Sequence, residues 1–230
     1  MAAHVVLKRL CLSHGQLAMN PAITQARVCG GIAARVALQQ PVRSLWGMLN
    51  AVFNKVDESR IKEVGPDRAC AEWLLRCGAA VKYKGFDKWN DDYNLLPSGA
   101  KGRFLIEEVD ATESCIMHIG FPHFAGCNHI RTMKLNHCIY LDDGSLLQLD
   151  HLKDSLTRLQ VSSCGDVSDK GLASLNKLQN LTNLFLFDLP AVKDIDSVIQ
   201  SLHKDLPQCD IKYLSEKELE EIKLGKDKQS

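Results

Sequence analysis

Leu156-Thr157-Arg158-Leu159-Gln160-Val161-Ser162-Ser163-Cys164 decides the reading of this chain. Its form is L-x-x-L-x-V-x-x-C, and it returns through the second half of the sequence. Ile130, Met133, Leu135 and Cys138 precede it; Leu181, Leu184, Leu186 and Leu189 follow, and then Leu206, Cys209, Ile211 and Leu214. The second column falls at 133, 159, 184 and 209, in steps of 26, 25 and 25 residues. A period of about 20–29 residues with this pattern is the signature of leucine-rich repeats. Each unit is expected to lay down one short strand whose alternate side chains enter a shared core, then return and stack the next strand on the last.

Two units carry a second signal at the corner after the strand. Cys138-Ile139-Tyr140-Leu141-Asp142-Asp143-Gly144 and Cys164-Gly165-Asp166-Val167-Ser168-Asp169-Lys170-Gly171-Leu172 are variants of one theme. They resemble the cysteine-containing subclass of leucine-rich repeats, with the thiol as a small buried apolar group. Ser168 or Asp169 can cap the return helix, and Leu172 and Leu175 give it an apolar face. A fifth, degenerate unit is predicted ahead of these, with Cys115, Met117 and Ile119 as its strand.

Working outward from the repeats, residues 45–105 lack the pattern and read as a helical cap that covers the first strand's edge and apolar flank. Trp46, Leu49, Phe53 and Val56 fall on one face of a helix, with Asn50, Asn54 and Asp57 on the other. That apolar face either docks on the cap core or serves a partner. Gly65-Pro66-Asp67 opens a second helix, with Pro at its first turn. Trp73, Leu74 and Cys77 form its buried side, and Gly78 ends it in a left-handed conformation. Tyr83, Phe86, Trp89 and Tyr93 read as cap core. The interleaved Asp87, Asp91 and Asp92 argue against base stacking there.

The first 44 residues are different in kind. No Asp or Glu occurs before Asp57, and the charged residues up to Arg43 are Lys8, Arg9, Arg27, Arg35 and Arg43. An acid-free, Arg-bearing start reads as a mitochondrial transit peptide, with a disordered basic tail as the alternative. The whole chain is neutral, with 28 basic and 28 acidic residues; setting those five aside leaves 23 against 28. A mildly acidic body argues against nucleic acid as a partner. No run of about 18 apolar residues occurs, so no membrane-spanning helix is expected. The nine cysteines are unevenly spaced and several sit in repeat columns, which suits a reducing compartment. The order is therefore a transit peptide (1–44), a helical cap (45–105), four to five repeats (106–214) and a charged tail (215–230). The tail opens on the capping pattern Ser215-Glu216-Lys217-Glu218.

Reactive chemistry is sparse. His118, His123, His129 and His137 lie near Cys115, Cys127 and Cys138, but their spacing fits no closed zinc motif and no C-x-x-C is present. No base or orienting group marks out a nucleophile, and no phosphate-binding Gly loop with a following Gly-Lys-Ser/Thr appears. No catalytic residue or organic cofactor is expected. The last carbonyls of the helix ending at Gly78 lack intrahelical donors and could take part in binding a hard cation, as could those of any helix.

Several stretches carry a wider likeness: Trp46 to Asp57, Val64 to Ala69, Glu72 to Ala79, Asp110 to Met117, and Ser163-Cys164-Gly165 with Asp169-Lys170-Gly171. Over about residues 45–214 the chain resembles the mitochondrial ATP synthase subunit s family, also called coupling factor B or distal membrane arm assembly component 2-like. The resemblance implies a non-catalytic protein on the matrix side of the inner membrane. It would associate with the ATP synthase membrane sector and support proton-coupled ATP synthesis. It further implies a Mg2+ ion held by main-chain oxygens of the residues aligned with Gly78 and Thr112. Relatives carry a C-x-C pair where this chain reads Asn136-His137-Cys138, which leaves Cys138 alone there. Two other functions stay open: an assembly scaffold for respiratory complex I, and a ubiquitin-ligase-type repeat adaptor. The sequence also leaves self-association open.

Overall fold

The computed structural model describes residues 47–214. The transit-peptide reading, Trp46 and the charged tail lie outside them. A single seven-stranded sheet forms the frame, in the order β2-β1-β3-β4-β5-β6-β7. The strands are β1 (Ala80–Tyr83), β2 (Trp89–Asn90), β3 (Ile106–Asp110), β4 (Thr132–Asn136), β5 (Arg158–Ser162), β6 (Asn183–Phe187) and β7 (Asp210–Leu214). From β3 onward all neighbours are parallel and follow chain order, whereas β1 runs antiparallel to both β2 and β3.

The recurring columns are the registered positions of the parallel strands. Met133 faces Leu159, which faces Leu184; Leu135, Val161 and Leu186 form the next row. All six are buried. Between them, Thr132, Lys134, Arg158, Gln160, Asn183 and Phe185 line a hollow on the other face, the alternation expected of strands with one face in the core.

Two expected registers are corrected. In the last unit Leu184 pairs with Ile211, not with Cys209. The return before β7 is longer: the helix Ile195–Asp205 fills it, and Leu206 and Cys209 are buried ahead of the strand. In the first unit the strand is Ile106–Asp110, with Val109 facing Met133. Cys115 and Met117 lie in irregular backbone, and Ile119 begins no strand but sits in a 3-10 turn, His118–Phe124. The sequence disguised β3 because Glu107 and Glu108 stand between its two buried residues, Ile106 and Val109.

At each corner the chain takes a left-handed residue: Glu113, His137, Ser163 and Asp188, with φ between 47° and 57°. Each of the next residues, Ser114, Cys138, Cys164 and Leu189, is buried. Ser114 thus takes the corner position in the first unit, and its hydroxyl lies 3.6 Å from the Cys138 thiol. Amide donors continue the ladder past the strands, from Glu113 to the Asn136 carbonyl, His137 to Ser162 and Ser163 to Phe187, at 2.9–3.0 Å.

The returns are tied by carboxylates. Asp142 caps the helix Asp143–Leu147, and Ser168, as expected, caps Asp169–Ala173. Asp143 accepts bonds from the Ser168 N–H and hydroxyl of the next unit. Asp169 does the same for the N–H groups of Lys193 and Asp194. These bonds hold the Asp169 carboxyl below the ordinary range.

The expected all-helical cap is also corrected. Helical residues 47–54 (α1), Glu58–Val64 (α2) and Pro66–Arg76 (α3) are followed by the β1–β2 hairpin. The edge of β3 is therefore closed by an antiparallel partner within the same sheet. Val81 and Tyr83 alternate with half-buried neighbours, a strand pattern too short to stand out from the aromatic residues around it. Of that aromatic cluster only Tyr83 is buried; Phe86, Trp89 and Tyr93 are exposed. Helix α3 meets expectation, with Pro66 at its first turn and buried Trp73, Leu74 and Cys77, and with Gly78 at φ 90° just past its end.

Candidate functional site

The polarity of α1 is inverted relative to a helix that docks by apolar contact. Its buried residues are Asn50 and Asn54, while Met48 (66% exposed), Leu49 (41%) and Val52 (67%) face outward. Asn54 is fully buried, and all its hydrogen bonds go to the fold. Its Nδ2 donates to the carbonyls of Asn50 (2.8 Å) and Cys115 (2.9 Å). Its Oδ1 accepts from Trp73 Nε1 (3.1 Å) and from the Met117 N–H (2.8 Å). One side chain thus joins α1, α3 and the segment after the first corner. Trp73 is held in turn by a stack on His123 at 5.0 Å and by edge contacts with Phe121 and Phe124. Gly120 lies flat against it; a Cβ there would come within 2.6 Å of the indole.

The four residues predicted to face a partner are therefore separated. Leu49 is exposed. Phe53 is half-buried and packs against the core. Val56 is half-buried beyond the helical residues, and Trp46 is outside the described region. Met48 and Val52 join Leu49 on the open side; their spacing of three and four residues puts them on one face. An amide pair at Asn50 and Asn54 was the available clue to this arrangement. Hydrophobic periodicity cannot see a helix docked through hydrogen bonds.

Below α1, Arg60 and Arg68 share the Glu72 carboxylate at 2.7–2.9 Å. Burial alone would raise the Glu72 carboxyl, but these three bonds outweigh it and hold the group below its ordinary range.

Gly78 and Thr112 are brought onto facing segments. The pairing of Ala80 with Asp110 lies on one side of them, and a 2.9 Å bond from the Cys115 N–H to the Cys77 carbonyl on the other. Asp91, Asp110 and Glu113 line the hollow that Thr112 shares. Asp110 is already engaged, accepting from the Thr112 N–H at 2.9 Å and facing Lys134 Nζ at 3.5 Å. Gly78 is not among the residues lining that hollow; the oxygen-rich lining around Thr112 is of the donor type that a small hard cation such as Mg2+ takes. Among the described residues no group of three or more His, Cys, Asp or Glu side chains is arranged to hold a metal ion. His118 instead pairs with Asp142 at 3.0 Å, and buried His123 bonds the Gly120 carbonyl.

Cys70, Cys77, Cys115, Cys127, Cys138, Cys164 and Cys209 are unbridged and buried. Cys138 donates to the Ala111 carbonyl at 2.9 Å. Its contact with Cys164, reinforced by burial, pushes its titration up, and the same contact draws Cys164 down. No described helix is long and apolar enough to cross a membrane.

The arrangement is that of a mixed α/β protein whose buried Asn54 and Glu72 side chains serve the fold and whose candidate site is an apolar, outward-facing helix surface. It belongs to the mitochondrial ATP synthase subunit s family. The Bos taurus protein named ATP synthase subunit s, mitochondrial, is 48% identical over 173 residues, 74% of this chain and 86% of that protein. The proteins of the same name from Homo sapiens and Rattus norvegicus are 47% and 49% identical over the same shares. No protein-family model matches the chain.

Proposed function

We propose that this protein is a mitochondrial ATP synthase-associated coupling factor. It binds the complex at the matrix side of the inner membrane and supports proton-coupled ATP synthesis without itself catalysing a step. In this reading the parallel strands and their returns form a short leucine-rich-repeat solenoid of the cysteine-containing type. The acid-free, Arg-bearing residues 1–44 direct import. Family membership, with relatives named as subunits of that enzyme, supports the choice of complex.

The observation that carries the docking reading is the exposed trio Met48, Leu49 and Val52 on a helix whose polar side is already satisfied. Exposed apolar residues gathered on one face mark interaction sites in soluble proteins. Replacing both Leu49 and Val52 with Asp is expected to change stability by no more than about 0.5 kcal/mol, as for other surface substitutions. It is expected to lower the amount of ATP synthase captured from mitochondria with the tagged protein about tenfold or more, since a desolvated apolar anchor is worth roughly 2 kcal/mol or more. Undiminished capture would remove this helix from the interface.

The main-chain oxygens of Gly78 and Thr112 are further proposed to hold Mg2+, which would join the end of α3 to the segment leaving β3. When bound, the ion would supply cross-linking charge between these segments. Thermal unfolding of the full chain should then move up with added Mg2+ in a saturable way. The shift should shrink in Gly78→Ala, whose side chain strains a residue at φ 90°. Identical curves with Mg2+ and with a chelator would sink the metal assignment.

A further inference from the structure

A second site lies at the start of α3. Tyr83 is 5% exposed, and its hydroxyl finds no hydrogen-bond partner among the described residues. An unpaired buried hydroxyl is costly, so a native one calls for an explanation. Tyr83 lines a cleft of about 470 Å3 between the α2–α3 corner and the loop running from Pro97 to Phe104. Arg68, Asp67 and Glu72, all on α3, are among the charged groups whose fields reach the hydroxyl. Burial pushes it up to about 12, so near neutral pH it keeps its proton and offers a donor. It therefore wants an acceptor.

The rest of the cleft says which acceptor. Val64, Pro66, Pro97 and Phe104 make apolar walls. The N-terminus of α3 opens into it with its partial positive charge; Gly65, its N-cap, supplies no side-chain cap, Pro66 has no N–H, and the Asp67 N–H bonds its own carboxylate. Lys101 brings a cation to the lining and its Nζ bonds a carbonyl rather than an acid; Arg60 and Arg68 also line the cleft but already share Glu72, and Glu63 and Asp67 are the acids there. Asp67 is occupied by the Ile106 N–H at 2.8 Å, and burial raises its carboxyl. The loop is strapped over the cleft at two points. Lys101 Nζ donates to the Lys62 carbonyl (2.7 Å), and Arg68 donates to the Pro97 carbonyl (2.6 Å).

From these features we infer that the cleft is a binding site for a small amphipathic carboxylate. The acid group accepts from the Tyr83 hydroxyl near the α3 N-terminus, and the apolar body lies between Pro97 and Phe104. The volume falls within the range of about 300–1,000 Å3 usual for small-molecule sites. The site is separate from the helix surface proposed for docking and stands on its own observations.

The test is titration of the full chain with sodium octanoate and, separately, with 1-octanol, followed by calorimetry and by amide NMR. Octanoate is expected to saturate with a Kd of about 1 mM or tighter, shifting the amides of Arg68 and Gly99 to Phe104. 1-Octanol, with the same body and no acid, should bind at least about tenfold more weakly. Tyr83→Phe removes the orphan hydroxyl and keeps the ring. It should fold at least as well as wild type and lose octanoate affinity about fivefold or more. Lys101→Met, on the rim, should narrow the gap between the two probes. Absence of saturation, equal binding of octanol, or full octanoate affinity in Tyr83→Phe would each overturn the assignment.

Discussion

Leu184→Asp is expected to abolish the folded state at ambient temperature. Leu184 is buried in β6, between Leu159 of β5 and Ile211 of β7. The charged carboxylate would face apolar neighbours on both sides. Breaking a core in this way costs more than about 4 kcal/mol, a large part of the roughly 5–15 kcal/mol that holds a domain together. The next residue supplies the control. Phe185 lines the hollow on the opposite face of the same strand, so Phe185→Asp should unfold at nearly the wild-type denaturant midpoint. Circular dichroism through a urea titration reads both. Equal tolerance of the two substitutions would mean that the faces of β6 are assigned the wrong way round.

Asn54→Ala should be nearly as damaging, although no apolar core contact is lost. The substitution strands the Trp73 indole N–H, the Met117 N–H and the Cys115 carbonyl, all bonded by this one side chain. Each unsatisfied buried group costs about 1–3 kcal/mol, so a total of about 4 kcal/mol is expected after partial relaxation. Asn54→Asp tests the same point with a different balance. It keeps the acceptor for Trp73 and Met117, loses the donor to Cys115 and buries a charge. A loss below about 1 kcal/mol in Asn54→Ala would show that α1 is not anchored through this amide. It would also weaken the reasoning that frees Met48, Leu49 and Val52 for a partner.

How much of this was legible in the sequence depended on whether hydrophobicity or hydrogen bonding set the structure. The columns at Met133, Leu159 and Leu184 were readable because each strand buries alternate aliphatic residues at a nearly fixed interval. The register failed at β7, where the helix Ile195–Asp205 lengthens the return and Cys209 imitates a strand position. It failed at β3 because two glutamates interrupt the apolar signal, and Cys115, Met117 and Ile119 alternate more convincingly than the true strand. The corner was legible as a cysteine in two units and hidden in the first, where Ser114 fills the same place. In the candidate site, apolar spacing picks out Leu49 but misses Met48 and Val52, because Asn50 and Asn54 take the buried side and Asn54 is matched there by partners nineteen or more positions away or on the helix itself. The carboxylates linking one return to the next, Asp143 and Asp169, could be seen as helix-start residues, but their partners in the following unit could not.

The proposed attachment of this chain to the ATP synthase runs through the open face of α1. Cross-linking the tagged full chain in intact mitochondria, with a photoreactive residue in place of Val52, tests it most directly. Adducts with subunits of the ATP synthase are expected, and they should vanish when the photoreactive residue is moved to the sheet hollow at Phe185. Adducts confined to respiratory complex I, or none from position 52 while Phe185 gives strong ones, would contradict it.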